Sequence, residues 1–488
     1  MGGMSTTRTL ALNTGVQIAG KIVSTAIGVV VIGLMTRYLG LDGFGMYSSA
    51  NAYFQIFAII LDLGLNVMLV QMLGERAGDT AYENRAVSAT FTLRLVMAGV
   101  FLTFAAFLGL LMPYPFELKI AIFALWGSFF FSALNQIVIG VHQRHMKMHV
   151  VALAEILGRV VLLGGILLAR AEGWGLLAIV TIVSLGGFAN FLLNALVARR
   201  FASVSWNWDP EFWITILKRA WPIGVSILFN LIYFKADTLI LSYVRPFAEV
   251  GIYSAAYRVL EILITVPFMY TGVMLPILAK AWITKNHEHF QKLYRNSLVA
   301  MLLISAPMIG GIGILGTRVM TLVAGKDFAA SGDILRVLVI AVVLIFVGTV
   351  SSHAIVALDA QRNMLPIYII VALLTLLGYV TLIPPFGMWA AAWLTVASEG
   401  AVALASTLIS LRKSQTSVEV MPYLKILIAT VVMALCILPL QNLPLVIPIL
   451  AGGVVYVGLV LLLGVVSTET LKEVLSFRRD ATQAEIEL

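Results

Sequence analysis

Residues 13–71 read NTGVQIAGKIVSTAIGVVVIGLMTRYLGLDGFGMYSSANAYFQIFAIILDLGLNVMLVQ. Two long apolar runs flank a short turn that contains Gly40, Gly43 and Gly45. A helix needs about 20 apolar residues to cross a bilayer. The stretch is therefore predicted to be a hairpin of two membrane spans, 10–38 and 45–72. Each span holds a charge far from its ends, Lys21 in the first and Asp62 in the second. An ionisable group at that depth costs about 2.5–3.5 kcal/mol on insertion scales, so each needs a partner, a wet cavity or a charged ligand.

The rest of the chain has the same character. Its 488 residues are 60% hydrophobic and 11% charged, with a mean hydropathy of +0.99. No soluble domain of this length buries so much apolar surface, so the chain reads as a polytopic membrane protein. Twelve further spans are predicted at 86–111, 118–141, 150–169, 175–198, 220–243, 251–279, 296–317, 334–358, 364–383, 388–411, 424–441 and 446–466. All are helices, because backbone groups in lipid must be satisfied within the segment and nothing alternates like a barrel strand. The expected fold is all-α, with about 14 transmembrane helices in two six-helix lobes plus two C-terminal helices. The lobes are placed at 1–198 and 220–411, the linker at 199–219, and the extra helices and tail at 412–488.

Charge placement sets orientation. With the N-terminus in the cytoplasm, 20 of the 32 Lys and Arg fall on the inner side and seven on the outer. That bias puts both termini in the cytoplasm. No basic, aromatic-interleaved patch marks nucleic acid as a partner. The single cysteine, Cys436, excludes an intrachain disulfide and Cys-based metal sites. The first apolar run is too long for a signal-peptide core and reads as a retained helix. His142, His145 and His149 have ligand-like spacing, but Arg144 and Lys147 beside them oppose a metal, and none is expected. No Walker loop, nucleophile elbow or HExxH occurs, and no cofactor is expected. The longest outer loop, near Arg318–Asp333, leaves no room for a catalytic domain, which argues against an enzyme such as a polysaccharide polymerase.

The segment Arg199–Trp221 is polar and holds four tryptophans. Asp209-Pro210 has the chemistry of a helix start, with Asp as N-cap and Pro at the first position. Its tryptophans suit a helix lying at headgroup level. An internal repeat supports the two-lobe division: RYLGLDGFGMYSSANAY (37–53) matches YVRPFAEVGIYSAAYRV (243–259), with Gly45 opposite Gly251.

The buried charges are unevenly shared. Asn13, Gln17, Gly20, Lys21, Ser24 and Gly28 form one polar stripe at helical spacing. Lys21 and Asp62 lie at equal depth and can pair. Arg94 and Arg159 lie at the same level, and Glu155, one turn before Arg159, can pair with it. Three cations against two carboxylates leave one surplus cation, which would attract an anion; structural pairing is the competing reading. In the second half Ser226, Asn230, Tyr233 and Asp237 form a stripe with Lys235 on the opposite side. Depth there suggests pairs Asp237–Arg258 and Lys235–Glu261, or a second contact set with a titrating carboxylate.

The residues Asn13, Thr36-Arg37-Tyr38-Leu39-Gly40, Gly43-Phe44-Gly45-Met46-Tyr47 and Asp62-Leu63-Gly64-Leu65 resemble the Wzx-type polysaccharide flippases. Asp237-Thr238-Leu239-Ile240, Val250-Gly251-Ile252-Tyr253 and Pro276 are similar to the matching region of that family, within the multidrug/oligosaccharidyl-lipid/polysaccharide exporter superfamily. The resemblance implies alternating-access export of an undecaprenyl-diphosphate-linked oligosaccharide across a bacterial cytoplasmic membrane. Membrane lipids and polysaccharide assembly proteins would be its surroundings. Lys21, Arg94, Arg159, Lys235 and Arg258 would then bind substrate, and Asp62, Glu155, Asp237 and Glu261 would couple or gate. A lipid II flippase and a multidrug or cation exporter share the fold; the exporter would favour an acidic cavity.

Overall fold

The computed structural model describes residues 6–62, 64–76 and 78–465. The side chains of 6–18, 222, 223 and 225–234 are outside the description, so the stripe residues Asn13, Gln17, Ser226, Asn230 and Tyr233 lie beyond it. Every regular element among the described residues is a helix, with no strand. In order, the helices are α1 (Thr6–Asp62), α2 (Leu65–Glu75), α3 (Thr80–Leu111), α4 (Phe116–Arg144), α5 (Met148–Ala171), α6 (Leu176–Ala198), α7 (Pro210–Val244), α8 (Phe247–Leu263) and α9 (Thr265–Ile283). They continue with α10 (His287–Ala324), α11 (Ser331–Ala357), α12 (Gln361–Phe386), α13 (Met388–Ser414), α14 (Val420–Ile437) and α15 (Val446–Leu462). Eleven segments of the described residues are long and apolar enough to cross a membrane. One of them, Ala19–Glu75, contains two passes. The chain is a multi-pass membrane protein.

Contacts divide the chain into two compact units. The first comprises Met1–Ala255, Val323–Phe328 and Tyr368–Ala391; the second comprises Ala256–Leu322, Ala329–Ile367 and Ala392–Leu488.

In the first unit, side-chain register fixes helix direction. Gly20 meets Ala152, Gly28 meets Arg159, and the Tyr38 hydroxyl donates to Ala169 O, so the first part of α1 runs parallel to α5. Gly158 faces Gly186 and Gly165 faces Ile182, so α5 and α6 are antiparallel. Ser128 meets Ser184 and His142 meets Asn194 O, so α6 runs with α4. Phe54 stacks on Phe129, and Arg94 donates to both Leu61 O and Ala133 O, so the second part of α1 also runs with α4. The two parts of α1 are therefore antiparallel, and the chain reverses at Gly40. Its φ of 66° and ψ of −171° are open to glycine and strained for any residue with a Cβ. The predicted hairpin is present, with its turn reduced to one residue.

The second pass is not continuous. α1 ends at Asp62, and α2 starts after Gly64, which is left-handed at φ 69°. A glycine in that conformation is the usual way to stop a helix. The predicted span 251–279 is likewise broken, at Ile264 between α8 and α9. Pro267 lies just beyond; it has no N–H to donate back across the break.

The repeat glycines touch. A Cβ on Gly45 would collide with the carbonyl of Phe247, and one on Gly251 with the carbonyl of Leu41; each would also crowd the other glycine's backbone N. In the repeat alignment Leu41 corresponds to Phe247, so the contact is reciprocal, as across a two-fold axis. Gly45→Ala is expected to destabilise by about 1–3 kcal/mol, because the obstacle is backbone and cannot rotate away. Thermal unfolding in detergent measures it.

The linker departs from expectation. Asp209 is the N-cap, accepting from Phe212 N at 3.1 Å, and Pro210 opens the helix as predicted. That helix is not a separate element; it continues unbroken to Val244. Residues 203–209 instead form an extended strap on α3. Asn84, Ser88 and Thr92, spaced by four, present one polar row. Asn84 accepts from Ser203 N (2.6 Å), Ser88 donates to Ser203 O (2.7 Å) and Thr92 accepts from Asn207 N (2.8 Å). Arg85 Nε lies 2.6 Å from Asp209 Oδ2 and holds that carboxyl below its ordinary range.

In the second unit α9 packs on α11, and α14 on α15. Tyr294 of α10, Ser351 of α11 and Thr407 of α13 share hydroxyl hydrogen bonds of 2.9 and 2.8 Å.

Candidate anion site

The α1–α5 seam is built by small residues. Gly20, Ser24 and Gly28 recur every four residues, so they share one face, and small residues let two helices approach closely. A Cβ on Gly20 would stand 2.5 Å from the Ala152 Cβ. In this seam Lys21 Nζ lies 3.0 Å from Glu155 Oε1, and the Ser24 hydroxyl donates to the same oxygen at 2.8 Å. One turn further, the Arg159 guanidinium lies across Gly28, with Cζ 3.6 Å from where a Cβ would be. Arg159 is half-buried, and among the described residues it makes no hydrogen bond or ion pair.

This changes the expected pairing. Lys21 does not pair with Asp62, and Glu155 does not pair with Arg159. The parallel α1–α5 register brings Lys21 to Glu155 first. Asp62 goes to Arg94, whose Nη2 lies 2.5 Å from Asp62 Oδ1. The surplus of one cation deduced from the sequence is present, and it is Arg159.

Arg94 sits elsewhere in the same unit and has a different task. It is 1% exposed. Its Nη1 donates to Leu61 O at 2.6 Å and its Nε to Ala133 O at 3.2 Å. A helix end leaves carbonyls without intrahelical donors. The guanidinium fills that need where α1 stops and adds the ion pair to Asp62. With all three kinds of nitrogen engaged, Arg94 is a pin in a broken helix. A groove of about 390 Å³ beside it is lined by Ile60, Leu61, Val96, Met97, Val100 and Phe101, and is apolar.

In the second half of the sequence the Asp237 carboxylate is fully buried. It accepts from the Tyr253 hydroxyl at 2.5 Å and from Thr238 N at 2.5 Å. Lys235, on the same helix, is half-buried. Arg258 Nη1 lies 2.8 Å from Glu261 Oε2, within one turn of α8. Depth suggests Asp237–Arg258; the Asp237 carboxylate instead takes the Tyr253 hydroxyl, and Arg258 meets Glu261. His142 is buried against Asn194 O, and His145 pairs with Glu83.

A family model described as "Polysaccharide biosynthesis protein" matches residues 10–282. The chain belongs to that family. Among its curated relatives is "Putative O-antigen transporter" of Shigella dysenteriae, 22% identical over 370 residues, covering 74% of this chain and 89% of the relative. Another is "Probable flippase AglR" of Haloferax volcanii, 22% identical over 404 residues, covering 80% and 81%. The fold is shared with a solved structure titled "Lipid II flippase MurJ, inward closed conformation". The TM-score is 0.76 at 15% identity, with 91% of this chain and 97% of that one covered.

Proposed function

We propose that this protein is a flippase that moves a lipid-linked oligosaccharide across the membrane by alternating access, and that Arg159 receives the anionic group of that substrate. The observation that carries the site is a guanidinium within a membrane helix seam, with no protein partner among the described residues. An uncompensated cation at that depth is costly unless water or a ligand meets it. Arg donates two parallel bonds, which suits phosphate oxygens. The family and the named relatives support the transport reading. The finer reading follows from charge and resemblance: an undecaprenyl-diphosphate carrier, a bacterial cytoplasmic membrane, both termini in the cytoplasm, and two six-helix lobes with two added helices. In this reading the protein is a transporter and not an enzyme, and Lys21 is the second cation available to substrate. The carboxylates Asp237 and Glu261 remain coupling candidates.

Deleting the gene is expected to make lipid-linked repeat units accumulate in the inner leaflet, with full repeat-unit synthesis intact. Loss of repeat-unit synthesis itself, or no accumulation, would contradict a flippase.

A further inference from the structure

The seam carries a carboxylate that transport of an anion does not obviously need. Glu155 stands one turn from Arg159, on the same helix, and holds Lys21 at 3.0 Å. We infer that Glu155 is a resident competitor: it occupies Lys21 in the empty protein and yields it to the substrate anion, so that it sets how tightly substrate is held. This rests on the reading of Arg159 as the anion's seat.

The geometry supports the exchange. Four residues along a helix span about 6 Å, so an anion on Arg159 lies within reach of the Lys21 side chain. Lys21 is 43% exposed on its side chain and is free to swing, whereas Glu155 is also anchored by Ser24, which is 1% exposed. When Lys21 leaves, the Ser24 hydroxyl still donates to the carboxylate at 2.8 Å. A diphosphate bears more than one negative charge, and Arg159 supplies one positive charge. Lys21 supplies another only by giving up its own carboxylate. The exchange swaps one ion pair for another, which limits net affinity. A carrier needs this limit, because a substrate bound too tightly on entry is not released after the switch.

The test measures binding of farnesyl diphosphate to the purified full-length protein in detergent by titration calorimetry. Glu155→Gln keeps the shape and the acceptor for Ser24 but frees Lys21. It is expected to bind about two- to fivefold tighter than wild type, the scale of removing one partly exposed ion pair. Adding Lys21→Ala to Glu155→Gln is expected to erase the gain. Glu155→Asp, which keeps the charge, is expected to stay near wild type, and thermal unfolding checks that each variant is folded. Unchanged or weaker binding by folded Glu155→Gln overturns the inference, as does a gain that survives Lys21→Ala. Failure of the seat itself is read separately: if Arg159→Gln binds the probe like wild type, the anion does not sit on Arg159.

Discussion

Arg94→Ala is expected to lower stability by about 2–5 kcal/mol, chiefly the cost of taking a donor from two buried carbonyls at about 1–3 kcal/mol each. The reason is local. The substitution strips donors from Leu61 O, Ala133 O and the Asp62 carboxylate together, at the point where α1 stops and α2 begins. Asp62→Asn should cost much less, because its side chain is 37% exposed and the two carbonyls keep their donor. Arg94→Lys should fall between them, since an ammonium restores charge without the planar fork. Thermal unfolding in detergent ranks the three. If Arg94→Ala melted like wild type and yet failed in transport, Arg94 would be a ligand and the pin would be wrong.

Arg159→Gln should behave in the opposite way. No protein partner is lost among the described residues, so its melting temperature is expected to match wild type. Flipping is expected to fall about ten- to hundredfold, the scale of one charge-assisted interaction of about 1.5–3 kcal/mol. Gly28 offers an independent handle on the same group. Gly28→Ala places its Cβ 3.6 Å from Arg159 Cζ, an ordinary contact, and should be tolerated. Gly28→Leu fills the space where the guanidinium lies and should reproduce the Arg159 defect. A transport assay in reconstituted vesicles, at matched protein levels, distinguishes these outcomes. Wild-type flipping by a folded Arg159→Gln would remove the residue from the site.

The contrast shows what a sequence carries and what it does not. Span positions were legible because hydrocarbon imposes length and composition on each helix. The count of charges was legible as well, and it predicted one surplus cation. The partners were not. Depth along a helix follows from numbering, but azimuth and neighbour follow from packing, and Lys21 had two carboxylates to choose from at nearly one depth. The small residues Gly20, Ser24 and Gly28 were the available signal, since they mark the face that approaches another helix closely. The break at Gly64 was hidden for another reason. A single glycine in an apolar run is common in membrane helices, and only its left-handed backbone distinguishes a stop from a bystander. The linker strap was written in Asn84, Ser88 and Thr92, a polar row on α3 whose partner was a backbone, which leaves no pattern in its side chains.

The reciprocal contact of Gly45 and Gly251 has a consequence for chain connectivity. Each glycine meets the stretch that corresponds, in the other copy, to its own surroundings. Such a patch is its own complement. A fragment carrying only the first copy would offer the same surface to a second molecule of itself, and two identical fragments would share one axis there. The continuous polypeptide supplies the second copy in place, at fixed stoichiometry, so each glycine already has its complement within one chain.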